Sequence, residues 1–354
     1  MRLVTQARRA LLARLGAGTP IYAHCSFTHR CNMRCRPCVL WRGADKAAEM
    51  TLPQVEMLAE NLAKAGVTSA ALSGGDPFMR KDLPEITHAF ASRGMDCRIL
   101  THGVKLGEER IRAVIEAGAT DVSISLDSTD PAKVRDIYNG VDVFDSVIES
   151  MRLFAELLPR GSVPVMNVVV SRVNVAELPQ LVPFAEKLGF YCSFVPIVIS
   201  PSEEECDGFA AVAPELSIRP QEFDILDRSY SELLRMKLRG ASIANSSRFL
   251  KDSVRYFKTG AQDWSCDAGT LYVSVDPDGG ISICHNFEPF ARFDTPDLGA
   301  LLRSPTMRAR MKSQREACKG CMRPCWAELT HAIFDMRASL EAFRMSLRAA
   351  SKRK

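Results

Sequence analysis

The chain has 354 residues, 46% hydrophobic and 25% charged, with a net charge of +4. These are the values of an ordinary globular protein, long enough for one large domain and a smaller one, and the small net charge gives no reason to expect nucleic acid. No apolar run approaches the ~18 residues of a membrane span, and Arg8, Arg9 and Arg14 break up any secretory h-region, so the cytoplasm is the expected address.

Between Met1 and Ala44 there is no acidic residue, while Arg2, Arg8, Arg9, Arg14, Arg30, Arg34, Arg36 and Arg42 are basic. Leu3, Val4, Ala7, Leu11 and Leu15 fall at helical spacing, so residues 1–20 read as a basic amphipathic helix. It either packs on the main domain with a solvated basic face or touches a membrane surface. Ile21–Phe27 is a strand-like apolar run. Thr51-Leu52-Pro53 then opens a helix to about Ala65, stopped by Gly66. Strands are expected at Thr68–Leu72, Asp96–Thr101, Asp121–Leu126, Val163–Val170 and Tyr191–Pro196. Helices are expected between them at Leu83–Arg93, Glu108–Ala117, Val143–Leu158 and Ala176–Leu188. About six alternations of strand and helix require parallel strands with right-handed crossovers. That makes residues 21–200 an α/β domain, an incomplete (β/α)6 barrel whose chemistry sits at the C-terminal strand ends. Cys31–Cys38, Ser73–Asp76, Thr101–Gly103, Ser123–Asp127 and Ser171–Asn174 all fall there.

Residues 201–260 read as a linker and helices. Pro201, Pro214, Pro220 and the run Glu203-Glu204-Glu205 mark a break over Ile199–Pro220, a solvated linker or a lid. Helices follow at Gln221–Leu238 and Ser246–Phe257. In the segment 261–326, Leu271–Val275 and Ile281–Cys284 form a hairpin around Asp276-Pro277-Asp278-Gly279-Gly280. Residues 327–354 form one helix with Ile333, Met336, Leu340, Phe343 and Leu347 on a stripe, ending in a basic tail.

The chain has twelve cysteines, grouped rather than paired, which points to metal ligation in a reducing compartment. Cys25, Cys97, Cys192 and Cys206 are scattered and read as buried small hydrophobes, Cys206 being the most exposed of them. Cys31-x3-Cys35-x2-Cys38 supplies three thiolates, one fewer than a 4Fe-4S cube usually takes, which leaves one iron open to a ligand that is not protein. A three-cysteine zinc site is the alternative.

With Thr28-His29-Arg30 before it, this triad resembles that of the radical S-adenosylmethionine (radical SAM) enzymes. The resemblance implies that SAM chelates the open iron through its methionine amino and carboxylate groups. An electron from the cluster then cleaves the sulfonium to a 5′-deoxyadenosyl radical, which abstracts hydrogen from a substrate. Ser73-Gly74-Gly75-Asp76-Pro77 resembles the family's GGE turn, with Asp76 where Glu is usual; it places Gly74, Gly75 and Asp76 at SAM. Glycines suit a turn that a ligand must approach closely. Ser123, Ser125 and Asp127 stand where the family often contacts the ribose, and Ser171–Asn174 resembles a loop that reaches the same site. Pro37 and His102 depart from the pattern, replacing an aromatic and a Thr-Asn-Gly turn.

Cys266-x12-Gly279-x4-Cys284 and Cys318-x2-Cys321-x3-Cys325 resemble the SPASM/Twitch module. Five cysteines instead of seven imply one auxiliary 4Fe-4S cluster, held by Cys266, Cys284, Cys318 and Cys321, with Cys325 a substitute or a spare; a zinc ribbon is the rival. By position alone Asp127 and His285 are acid–base candidates. The resemblance implies a low-potential electron donor of flavodoxin or ferredoxin type and a small-molecule or peptide substrate. Oxidation of a small molecule such as a sugar alcohol is the leading expectation and peptide maturation the alternative, since only 24 residues precede Cys25. A non-catalytic iron–sulfur or zinc protein fits least.

Overall fold

The computed structural model describes residues 18–43, 48–200 and 211–351. Nearly all of the expected N-terminal helix, Cys206 and the end of the basic tail therefore lie outside the described residues.

Six parallel strands follow one another in sequence across the sheet. They are β1 (Tyr22–Ser26), β2 (Ser69–Ser73), β3 (Asp96–Thr101), β4 (Ala119–Ser125), β5 (Val165–Val170) and β6 (Tyr191–Pro196). The crossovers are α1 (Leu52–Ala65), α2 (Leu83–Ala91), α3 (Glu108–Glu116), the pair α4 (Pro131–Ile137) and α5 (Phe144–Leu157), and α6 (Leu178–Lys187). α1 shows why the local sequence specifies its element. Gln54 Oε1 accepts from Thr51 N–H at 2.8 Å, Pro53 sits in the first turn, and Gly66 takes the left-handed exit at φ 112°. One face of the strands, including Ala23, Cys25, Cys97 and Cys192, lies fully buried in the core, as expected for the scattered cysteines. Alternation turns Tyr22, His24, Ser26, Arg98, Ser123 and Ser125 to the other face. The sheet does not close, so this is a partial barrel.

The chain continues through α7 (Phe223–Leu238) and α8 (Ser247–Thr259) to β7 (Tyr272–Val275), β8 (Gly280–Ser282) and β9 (Ala291–Arg292). The expected hairpin is present, with Ser274 opposite Ser282. It also extends the barrel sheet: β7 pairs in parallel with β1, from Tyr22↔Tyr272 to Cys25↔Val275. One apolar core runs from Ala23 to Ile333. α9 (Leu298–Arg303), α10 (Pro305–Ala317), α11 (Pro324–Phe334) and α12 (Met336–Ser351) complete the chain.

Three expectations need correction. The single C-terminal helix is two, because Asp335 is extended at φ −106°, ψ 116° and its carboxylate accepts from Ala338 N–H at 2.9 Å, starting a new helix. The segment before α7 is not a solvated linker where it is described: Ala211, Ala213 and Leu216 pack with Ile197 into a small second core. α4 was not anticipated, although Asp130 before Pro131 is an N-cap, its side chain accepting from Ala132 N–H at 2.9 Å.

The shared sheet makes a prediction. Leu271 is fully buried, and its carbonyl accepts from Ile21 N–H at 2.9 Å. Leu271→Ala should cost about 2–5 kcal/mol, read as a lower urea midpoint. Hydrogen exchange should show the amides of β1 losing protection together with those of β7.

Candidate functional site

The Cys31–Cys38 loop leaves the C-terminal end of β1 and is fastened on four sides. At its base, Gly75 N–H donates to Thr28 O at 2.8 Å and Asp76 N–H to Arg30 O at 3.0 Å. The glycines are needed for this contact: a Cβ on Gly74 would collide with the Thr28 carbonyl, and one on Gly75 with the carbonyls of His29 and Arg30. The turn is thus glycine-rich because of the chain's own backbone, before any ligand is considered. On a second side Glu49 accepts a bidentate pair from Arg30, at 2.8 and 2.7 Å, and a further bond from Thr28 Oγ1. Buried Arg80 stands behind it, 3.5 Å from Glu49. On a third, Arg36 N–H donates to Ile137 O at 3.0 Å, at the end of α4.

The fourth fastening runs through Asp76 and His102. Asp76 is only 1% exposed. Its Oδ1 accepts from Phe78 N–H at 2.9 Å, and its Oδ2 from Thr101 Oγ1 at 2.7 Å and His102 N–H at 3.0 Å. Val104 N–H donates to His102 Nδ1 at 3.0 Å, so the ring proton is on Nε2. That atom lies 2.8 Å from Asn32 Oδ1, inside the cysteine loop, and 3.1 Å from Asp76 Oδ2. Burial holds the His102 pKa down, against the pull of Asp76, so the ring is a neutral donor. The unexpected residue at 102 therefore bridges the two motifs.

The other candidates divide. Asp127 is close enough to Cys35 to act on it electrostatically. Its Oδ1 accepts from Val169 N–H at 2.7 Å, and burial raises its pKa to about 7. Ser125 is half-buried at the end of β4. Ser123 lies one step deeper in the strand, where its hydroxyl accepts from Arg98 at 3.2 Å, next to the Arg98–Asp121 ion pair. Asn174 is spent on the main chain, its Nδ2 donating to Asp127 O and Val169 O, both at 2.9 Å. The Ser171–Asn174 loop thus positions the β4 end and holds no side-chain amide free for a ligand. Sequence reasoning missed Tyr138, just after α4. It is 5% exposed, its hydroxyl is 3.4 Å from Ser125 O, and it lies within electrostatic reach of Cys35, Asp127, Asp76 and Cys31.

The C-terminal cysteines separate four and one. Cys266 Sγ is 3.1 Å from the Tyr272 hydroxyl, which also lies within reach of Cys284 and Cys321; Cys318 in turn acts on Cys266. Cys321 is fixed by Trp264 Nε1–H donating to its carbonyl at 3.0 Å and by its own N–H donating to Gln262 Oε1 at 2.9 Å. Cys325, in the first turn of α11, is directed instead to the Tyr22 hydroxyl and Arg98. Between this set and β1 lies an aromatic nest. Trp326 stacks on Tyr272 with centroids 4.2 Å apart and meets Tyr22 and His24 edge-on. His285 Nε2 is 2.9 Å from His24 Nδ1. His285 therefore faces His24 and lies within electrostatic reach of His29. Burial, then Arg323, lowers the His24 pKa to about 4, and burial, then His24, holds His285 well below its ordinary value, so both rings are neutral.

Residues 25–185 match the model of the Radical SAM superfamily. That stretch is a radical SAM domain. The chain is 28% identical over 322 residues to a PqqA peptide cyclase of Methylobacterium sp. (strain 4-46), covering 86% of this chain and 79% of that one. To the PqqA peptide cyclase of Methylocella silvestris it is 32% identical over 173 residues, covering 48% of this chain and 45% of the relative. It is 25% identical over 301 residues to the mycofactocin maturase MftC of Mycobacterium tuberculosis, covering 83% and 69%. Among solved structures, Streptococcus suis SuiB bound to its precursor peptide SuiA superposes at TM-score 0.64 with 15% identity, covering 87% and 71%, a likeness of fold.

The family's cofactors are a 4Fe-4S cluster and SAM, and the first loop fits the cluster. Burial pushes the Cys31 thiol up to about 11 and the Cys35 thiol up to about 12, with the neighbouring acids and thiols raising both and Arg34 drawing Cys31 down. Two such thiols become thiolates together most readily beside strong positive charge, which an iron cluster supplies. Among the described residues no group of three or more His, Cys, Asp or Glu side chains stands at the distances of a single ion, so the fit rests on donor chemistry.

Two predictions follow from this geometry. In the anaerobic holoprotein, Cys321→Ser should lose about half of the bound iron and Cys325→Ser almost none; equal losses would contradict the four-and-one division. His24 binds its proton more weakly folded than unfolded, so its contribution is intact above pH ~6.5 and is lost as pH falls toward 4, by up to about 3 kcal/mol. His24→Gln should therefore gain on the native chain across that window in urea unfolding, while parallel pH curves would refute it.

Proposed function

We propose that the chain is a peptide-modifying radical SAM enzyme. The carrying observation is that a PqqA peptide cyclase, named for peptide chemistry, aligns with 86% of this chain, and a mycofactocin maturase with 83%. Those alignments reach past the barrel into the C-terminal cysteines. They favour peptide maturation over the small-molecule oxidation expected from cysteine count, because a count of cysteines says nothing about what enters the barrel.

In this reading Cys31, Cys35 and Cys38 hold the SAM-binding cluster, and the Gly74–Asp76 turn, with Ser125 and Asp127, lines the SAM site. When bound, the cluster and SAM supply a radical that removes a hydrogen atom from the substrate. Asp76 holds the loop to β3 through Thr101 and His102, and Tyr138 walls the site beside Ser125. Ser123 supports the strand from below. Cys266, Cys284, Cys318 and Cys321 would hold an auxiliary 4Fe-4S cluster, which would supply an electron acceptor for the oxidised substrate. A flavodoxin- or ferredoxin-type donor supplies the reducing electron.

The test uses the reduced, reconstituted protein with SAM and synthetic peptides copied from the short reading frames beside its gene. The expected result is 5′-deoxyadenosine formed with one peptide losing two hydrogens by mass spectrometry. 5′-Deoxyadenosine formed with sugar alcohols and with no peptide would return the assignment to small-molecule oxidation.

A further inference from the structure

α12 is docked the wrong way round for an ordinary surface helix. Its small residues Ala338 and Ala349 are buried, whereas Met336, Leu340, Phe343 and Leu347 are 83, 47, 51 and 54% exposed. Phe334, just before it, is 47% exposed, so five of the eight large apolar side chains exposed among the described residues lie here. Positions 336, 340, 343 and 347 form one continuous stripe at helical spacing. Scattered exposed apolar residues are normal, but a contiguous stripe marks a contact surface.

The helix is firmly held by its other side. Glu341 accepts from Ser247 N–H and Ser247 Oγ, both at 2.7 Å, and Arg348 donates to Gly240 O at 2.9 Å. The stripe is therefore presented outward by fixed anchors. Its flank is basic. Arg337, Arg344 and Arg348 follow one edge, Arg337 paired with Glu341 at 3.3 Å and Arg348 held at Gly240 O, and the sequence ends Lys352-Arg353-Lys354, with no acid after Glu341. The edge beside the apolar stripe thus carries a net positive charge.

We propose that α12 seats the enzyme on an anionic lipid surface, with Met336, Leu340, Phe343 and Leu347 entering the headgroup–acyl boundary and the arginine flank meeting lipid phosphates. Charge complementarity favours this occupant over a second copy of the chain, whose α12 would set another net-positive edge against the first. The bilayer boundary also accepts a single apolar ridge, and the basic edge strengthens the attraction to anionic lipid.

The test is flotation of the anaerobic, full-length holoprotein with vesicles of phosphatidylcholine alone or of phosphatidylcholine mixed with phosphatidylglycerol. The protein should float with the mixed vesicles, less so in high salt, and hardly at all with phosphatidylcholine alone. The double substitution Leu340→Gln with Phe343→Gln should lower the partition coefficient at least about tenfold with an unchanged thermal midpoint, since both side chains are exposed. Arg344→Ala, which leaves the apolar stripe intact, should lower it severalfold and carries the test if the double variant misfolds. Three results would overturn the proposal. They are absence of flotation, flotation unaffected by these substitutions, or a dimer in sedimentation that the double substitution dissociates, which would give the stripe to a second copy.

Discussion

The arrangement of the candidate site depends on one buried carboxylate. Asp76 is almost wholly removed from water, a costly position for a charge unless its oxygens are filled. They are filled by Phe78 N–H, Thr101 Oγ1, His102 N–H and the His102 ring. Those donors belong to the β2 and β3 ends, and the His102 ring also meets Asn32 between the first two cysteines. One side chain thus fixes two strand ends and the cysteine loop relative to one another. The short reach of Asp suits this inward task, and the glycines before it let the turn press against Thr28–Arg30.

A second constraint comes from the sheet. Because β7 pairs directly with β1, the strand that delivers the first cysteine loop lies beside the strand that anchors the second cysteine group. Tyr22, His24, Tyr272, His285 and Trp326 fill the space between, on the face that alternation turns away from the core helices. The two cysteine sets are therefore tied to neighbouring strands of one sheet, with aromatic rings packed between those strands and α11.

Much of this was legible in the sequence, for physical reasons. Strands β3 and β6 stand where they were expected, each a short stretch rich in strand-forming residues that follows a glycine turn, at Gly94 and Gly189, and Gly66 and Asp76-Pro77 mark their own local geometry. The Cys spacings marked out both cysteine groups. What the sequence hid depends on contacts distant along the chain. His102 looked like a defect in a motif until its ring was found between Asn32 and Asp76. Tyr138 sits after a helix too short for periodicity to reveal, though Asp130-Pro131 signalled its start. Ser123 and Ser125 are indistinguishable by type, yet one serves Arg98 and the other stands at the strand end. α12 carried a plain apolar stripe, but only its docking through alanines shows that the stripe faces outward.

The central claim is that the Cys31–Cys38 loop, held by Asp76, carries the cluster with the iron open to SAM, and that the C-terminal cysteines carry a separate one. Electron paramagnetic resonance of the dithionite-reduced protein, with and without SAM, tests it directly. The account predicts two 4Fe-4S signals, of which only one shifts when SAM is added. That signal should vanish in the triple variant Cys31→Ala, Cys35→Ala, Cys38→Ala while the other persists. A single signal indifferent to SAM, or a SAM-dependent shift surviving in the triple variant, would contradict the account.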